Sequence, residues 1–196
     1  MKVVVNGVDA TPGRPVQNWG ELLSLLDDEC AGQGVVVTEV AFDGVAQPSF
    51  REPQMADRHV DALRIEVDTA RQDDLVLSAV GDALRAIQPL RAVALSLAGA
   101  FREYDLDRGN RDMALFARNL ASLVELTGTI ASVTGLEPGS LADVSDQVDR
   151  LVEAREAGDW ITVADVLEHD VVTTLEQWRS VLAEVHRALL DPSAQG

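Results

Sequence analysis

Residues 63–87 read LRIEVDTARQDDLVLSAVGDALRAI, and the apolar period changes within them. Leu63, Ile65 and Val67 alternate with Arg64 and Glu66, the two-residue period of a strand with one face buried. Beyond Asp73 the spacing becomes three to four: Val76, Val80, Ala83 and Ile87, then Leu90, Ala94, Leu97 and Phe101. That is the stripe of an amphipathic helix. A strand that closes a first region and a helix that opens a second predict an α+β chain, with a boundary near residue 70.

Upstream of the switch the signals are those of a small sheet with one helix. Lys2–Val5 is β-branched and extended, and Asn6-Gly7 marks a tight type I′ hairpin returning through residues 8–11. Trp19, Leu22, Leu23, Leu26 and Cys30 recur at helical spacing, and Gly32 and Gly34 end that helix. Val35–Phe42 reads as a strand, Asp43-Gly44 as a second tight turn, and residues 45–47 as a short return limited by Pro48. Residues 49–59 are irregular. The order is hairpin, helix, hairpin, loop, strand.

On Val3-Val4-Val5-Asn6-Gly7, the Glu21-Leu22-Leu23 to Leu26 helix, the stretch 36–44 and the stretch 63–67, residues 1–70 resemble a β-grasp domain, the class of ubiquitin and the bacterial sulfur carriers. The resemblance is one of fold. Sulfur carriers end their domain in a free Gly-Gly tail, whereas here Val67 runs on into Asp68-Thr69-Ala70-Arg71, so carrier chemistry is not implied. What the resemblance implies is a compact binding module.

Downstream, residues 71–196 predict an antiparallel four-helix bundle. Pro89 should kink or split the first helix, and residues 99–110 form a polar break. Met113, Phe116, Leu120, Leu123, Ile130 and Val133 stripe the second helix, which Gly135 ends. Glu137-Pro138-Gly139 is a turn, and Ser140 with Asp143 is a candidate cap for a third helix carrying Leu141, Val144, Val148 and Leu151. Gly158 breaks that helix and Asp159 caps a fourth. Trp160, Ala164, Leu167, Val171, Leu175, Trp178, Leu182, Val185 and Leu189 give the fourth helix the longest stripe, close to a coiled-coil seam, and Asp191-Pro192 ends it. At ~1.5 Å per residue it would run ~46 Å, past a shorter neighbour, which predicts an uncovered length of seam and hence self-association or a protein partner.

Composition limits the function classes. Asp and Glu number 33 against 16 Lys and Arg, a net charge of −17 over 196 residues. This opposes binding to nucleic acid or an anionic membrane, because both need basic surface. No stretch reads as a signal peptide or membrane span, and one cysteine permits no intrachain disulfide. A cytoplasmic protein is expected.

Motifs that carry chemistry are missing. The sequence holds no Cys-x-x-Cys, His-Glu-x-x-His or Glu-x-x-His, no phosphate-cradling glycine loop and no Gly-x-Ser-x-Gly. No catalytic residue, metal ligand or cofactor is therefore assigned. Asp165 and His169, one helical turn apart, read as a solvated face, and residues 105–109 read as a helix-entry loop rather than a calcium loop. Cys30 lies on an apolar stripe and reads as core.

Two segments stand out as candidate binding sites. Phe42, Asp43, Phe50 and Arg51 set aromatics and a guanidinium in a proline-bearing stretch, which is either loop packing or a recognition edge. Trp160 and Trp178 lie on the main stripe and read as core; exposed, they would mark a groove or a dimer seam. The expectation is a non-catalytic interaction protein: an adaptor, chaperone or regulator. The alternative is a small-ligand protein or enzyme with a pocket between the two domains.

Overall fold

A computed structural model of the chain describes residues 1–60, 63–137, 139–141 and 143–191. Pro138, expected in a turn, and Pro192, expected to end the last helix, lie outside the described residues. The fold is α+β, with a mixed five-stranded sheet near the N-terminus and helices after it. It divides into two compact units, Met1–Leu75 and the chain from Val76 onward.

In the first unit, β1 (Lys2–Val5) turns into β2 (Val8–Asp9) through Asn6 at φ 48° and Gly7 at φ 82°. These are the two positive φ values a type I′ turn needs. Helix α1 (Trp19–Ala31) begins where the Asn18 side-chain Oδ1 accepts the Glu21 N–H at 2.9 Å. Strand β3 (Val35–Phe42) turns through Asp43 and Gly44, again at positive φ, into β4 (Val45–Ala46). Strand β5 (Arg64–Arg71) then enters the middle of the sheet. The spatial order is β2-β1-β5-β3-β4; β1 and β5 are parallel and the other neighbours antiparallel.

A bulge between Val37 and Glu39 adds one residue to β3. It resets which side chains face inward: Val37 is buried, and after the bulge Val40 and Phe42 are, where strict alternation would have turned Glu39 in. These residues close with Val3, Ile65 and Val67 on the Trp19, Leu22, Leu26 and Cys30 face of α1.

In the second unit, α2 (Gln72–Arg102) is one helix through Pro89. The expected split does not occur. Proline removes a single N–H, the one that would meet the Arg85 carbonyl, while Ile87, Leu90 and Ala94 on either side are buried and favour keeping the segment helical. The break before α3 (Leu106–Thr134) is shorter than the polar stretch suggested. It turns at Tyr104, φ 57°, and Asp105 caps α3 by accepting the Arg108 N–H. Helix α4 (Ser145–Glu156) starts later than expected. Ser140 does not cap it; instead Asp143 accepts from both the N–H and the hydroxyl of Ser145.

The last rod runs as α5 (Trp160–Asp165), a wide π-helical turn (Val166–Val171) and α6 (Val172–Leu190). Its apolar steps 167→171→175 are two fours in succession, and the wide turn keeps Leu167, Val171 and Leu175 all fully buried. The seam is covered through Leu182 by the unit's own helices, and Val185 and Leu189 also pack on that core. The uncovered seam expected from helix length is therefore not where this unit leaves its apolar surface. No helix among the described residues is long and apolar enough to cross a membrane.

Candidate docking grooves beside α3

Helix α3 buries one narrow line of side chains: Phe116, Leu120, Leu123, Thr127 and Ile130. Steps of four and three along 29 residues leave the rest of its circumference to solvent or to shallow contacts. Off that line sits Leu115, 57% exposed. Across the hollow from it, α2 leaves Val93 39% exposed, although it lies beside the buried positions Leu90, Ala94 and Leu97. On the other side, α4 leaves Val148 and Val152 exposed. Among described residues α4 buries only Ala154 within its length, with Val144 just before it.

Two hollows result. One, of about 550 Å³, lies between α2 and α3 and is walled by Pro89, Val93, Leu97, Leu115, Phe116 and Leu126, with Asp82 and Asp112 also on its lining. The other, of about 460 Å³, lies between α3 and α4 and is walled by Met113, Leu120, Val124, Val148 and Val152, with Glu125 and Arg155 at its edge. Phe116 lines both. Near the start of α3, Gly109 packs closely against the Phe101 ring of α2.

The aromatic residues singled out in the sequence are mostly structural. Phe42 and Phe50 are 3% and 8% exposed and meet Trp19 edge-on at centroid distances of 5.2 and 6.4 Å. The Trp19 Nε1–H donates to the Phe50 carbonyl at 2.5 Å. Arg51 is gathered to the same cluster. Its guanidinium lies 5.2 Å from the Phe50 ring centre and donates twice to Asp27, each at 2.9 Å. The hydrogen bond to Asp27 raises the Arg51 pKa further above its already high value. Asp43 sits in the hairpin turn and accepts the Arg64 N–H at 2.8 Å.

Trp178 is buried at 2%, whereas Trp160 is half-buried, stacked on Phe101 with centroids 5.5 Å apart. Burial, and then the neighbouring Asp27 and Glu29 charges, raise the Cys30 thiol pKa, so it stays protonated and a poor nucleophile at neutral pH. Asp165, one candidate of the Asp165/His169 pair, is taken by Arg102 at 2.8 Å; Arg102 also meets Glu168.

The groove residues Leu115, Val93 and Val152 were not singled out by sequence reading. The signal available for them was an apolar residue standing one position off a stripe. Leu115 beside Phe116 and Val93 beside Ala94 are both of that kind.

Fold and surface together define a two-unit α+β protein whose helical unit carries open apolar hollows. The family described as "Domain of unknown function (DUF8042)" matches residues 83–181, and the chain belongs to that family. The matched span begins inside α2 and ends inside α6, so all of α3 and α4 fall within it. No curated protein and no solved structure matches the chain.

Proposed function

We propose that this chain is a non-catalytic protein-interaction protein, an adaptor, chaperone or regulator, and that it holds a protein partner against the open apolar surface on both sides of α3. The observation that carries this reading is the paired hollows of about 550 and 460 Å³ flanking one helix, rimmed by exposed Leu115, Val93, Val148 and Val152. A helix that keeps large aliphatic side chains in water on two sides costs solubility, and contiguous exposed apolar surface of this kind marks interaction sites. The helical unit on this reading is a four-rod antiparallel bundle in which α5 and α6 form one rod. The strand order β2-β1-β5-β3-β4, with β1 and β5 parallel and α1 on one face, supports reading the first unit as a β-grasp module. A net charge of −17 favours a protein partner over nucleic acid or an anionic bilayer.

The reading is tested by placing a photo-crosslinking residue at Leu115 and, as a control, at Val8 on the first hairpin, in cells that make the protein. A discrete crosslinked species from position 115 alone is expected, and Leu115→Glu should reduce retention of the same partner without lowering the unfolding midpoint. No crosslink at 115 together with a monomeric solution mass would overturn the proposal.

A further inference from the structure

We infer that the α2–α3 groove takes one amphipathic helix of a partner protein, about four turns long, with basic residues at both of its ends. This deepens the docking reading above and rests on it. The length follows from the lining. Asp82 and Ser96 both line the groove from α2 and lie about 14 residues apart, which is ~21 Å of helix. A ligand helix of the same rise would cross it in about 14 residues, its i, i+3, i+4, i+7 face meeting Val93, Leu115, Phe116 and Leu126.

The charge follows from the two ends. The short α2–α3 turn makes the helices antiparallel, so Asp112 of α3 falls at the Ser96 end while Asp82 stands at the other. Among the described lining residues there are two carboxylates and no cation. At the Ser96 end Arg108 donates its hydrogen bond to the Ser96 hydroxyl at 2.8 Å and forms only a long ion pair with Asp112, at 3.9 Å with about half of each side chain in water, which a ligand cation can replace at little cost. At the other end Asp82 meets Arg85, but 58% and 74% of those side chains stay in water, and such a pair exchanges for another cation at little cost. A second copy of this chain is the wrong occupant. It would bring a net −17 against a net −17 and set acidic ends on acidic ends.

The test uses the full chain and three labelled synthetic peptides of about 16 residues. One carries an apolar helical stripe with Lys and Arg at both ends, the second keeps the stripe with Glu at both ends, and the third scrambles the stripe with basic ends. Anisotropy titrations should show the first binding at least tenfold more tightly than either of the others. Its affinity should fall with added NaCl. The double variant Asp82→Asn/Asp112→Asn should shrink the preference for basic over acidic ends about fivefold or more, while Leu115→Glu abolishes binding of both striped peptides. Equal binding of basic- and acidic-ended striped peptides overturns the charge assignment and leaves docking itself standing. Binding of the scrambled basic peptide as tightly as the striped one reduces the effect to bulk charge and overturns the inference. If no peptide binds and Leu115→Glu changes the solution mass instead, the occupant is a second copy and the inference fails. If no peptide binds, the mass is unchanged and position 115 gives no crosslink, both proposals fail together.

Discussion

Gly109 and Gly128 are both glycines of α3, yet the structure assigns them opposite roles. A Cβ at Gly109 would stand 2.7 Å from the Phe101 Cε1 and 2.9 Å from its Cζ. Phe101 is fully buried and stacked on Trp160, so the ring has nowhere to retreat. Gly109→Ala should therefore destabilise the protein, overpacking of about 1–3 kcal/mol outweighing a helix-propensity gain of up to ~1 kcal/mol. At Gly128 nothing lies within 4 Å of the added atom, and Gly128→Ala should stabilise by about 0.5–1 kcal/mol. Urea unfolding of the two variants checks the signs, and a stabilised Gly109→Ala would mean the two helices are not held at that point. Trp19→Phe makes a second test. It keeps a ring in the core but strands the buried Phe50 carbonyl, at a cost of about 1–3 kcal/mol in the same assay, beyond any loss from ring size. The core position of Trp19 could be read from its stripe. Its hydrogen-bond partner, 31 residues away, could not, because no local pattern encodes a contact with an irregular loop.

At the scale of elements, the start of α5 gives a pH test. The Asp159 carboxylate accepts the Thr162 N–H at 3.0 Å and the Thr162 hydroxyl at 2.7 Å, and these bonds, the backbone one foremost, hold its pKa below the usual value. The folded pKa thus lies beneath the unfolded one of about 3.9. The contribution is whole above that unfolded value and disappears as pH falls through the lower folded one. Asparagine keeps a capping oxygen but not the charge, so wild type should exceed Asp159→Asn in melting temperature near neutrality, and the gap should close below about pH 4. A gap that stays constant down to pH 2 would show that the carboxylate's charge plays no part in the cap. This cap was legible, because Gly158 and Asp159 form a stop-and-start signal of two residues. The two-residue period of the strands and the three-to-four period of the helices were also legible, since both are repeats that backbone geometry imposes, whereas the order β2-β1-β5-β3-β4 is set by long-range pairing. Continuity through Pro89, the wide turn at 166–171 and the groove beside Leu115 were not. Each depends on what packs opposite: buried neighbours carry the helix on through the proline, Leu167, Val171 and Leu175 are all buried across the wide turn, and the groove lies where α2 and α4 leave part of α3 uncovered.

For the whole molecule, charge is the property that sequence states outright and structure leaves in place. Acidic residues outnumber basic ones 33 to 16, so even full pairing of every Arg and Lys would leave a surplus of carboxylates repelling one another. The ion pairs present are open to water; Arg51 with Asp27 and Arg150 with Asp170 keep a third or more of each side chain exposed. Such pairs contribute at most about 1 kcal/mol each and weaken with salt. Self-repulsion is the longer-ranged effect, because the screening length shrinks from ~30 Å at 0.01 M to ~10 Å at 0.1 M and ~3 Å at 1 M. Screening the surplus should therefore outweigh the loss of pairs, and the melting temperature should rise as NaCl is added from about 0.01 to 0.5 M. Chloride is the suitable anion, because sulfate would also strengthen apolar burial and blur the cause. A melting temperature that falls steadily over that range would mean the surface pairs dominate. It would also weaken the case for a basic partner, since the field that selects cationic ends at the α2–α3 groove is the one this titration measures.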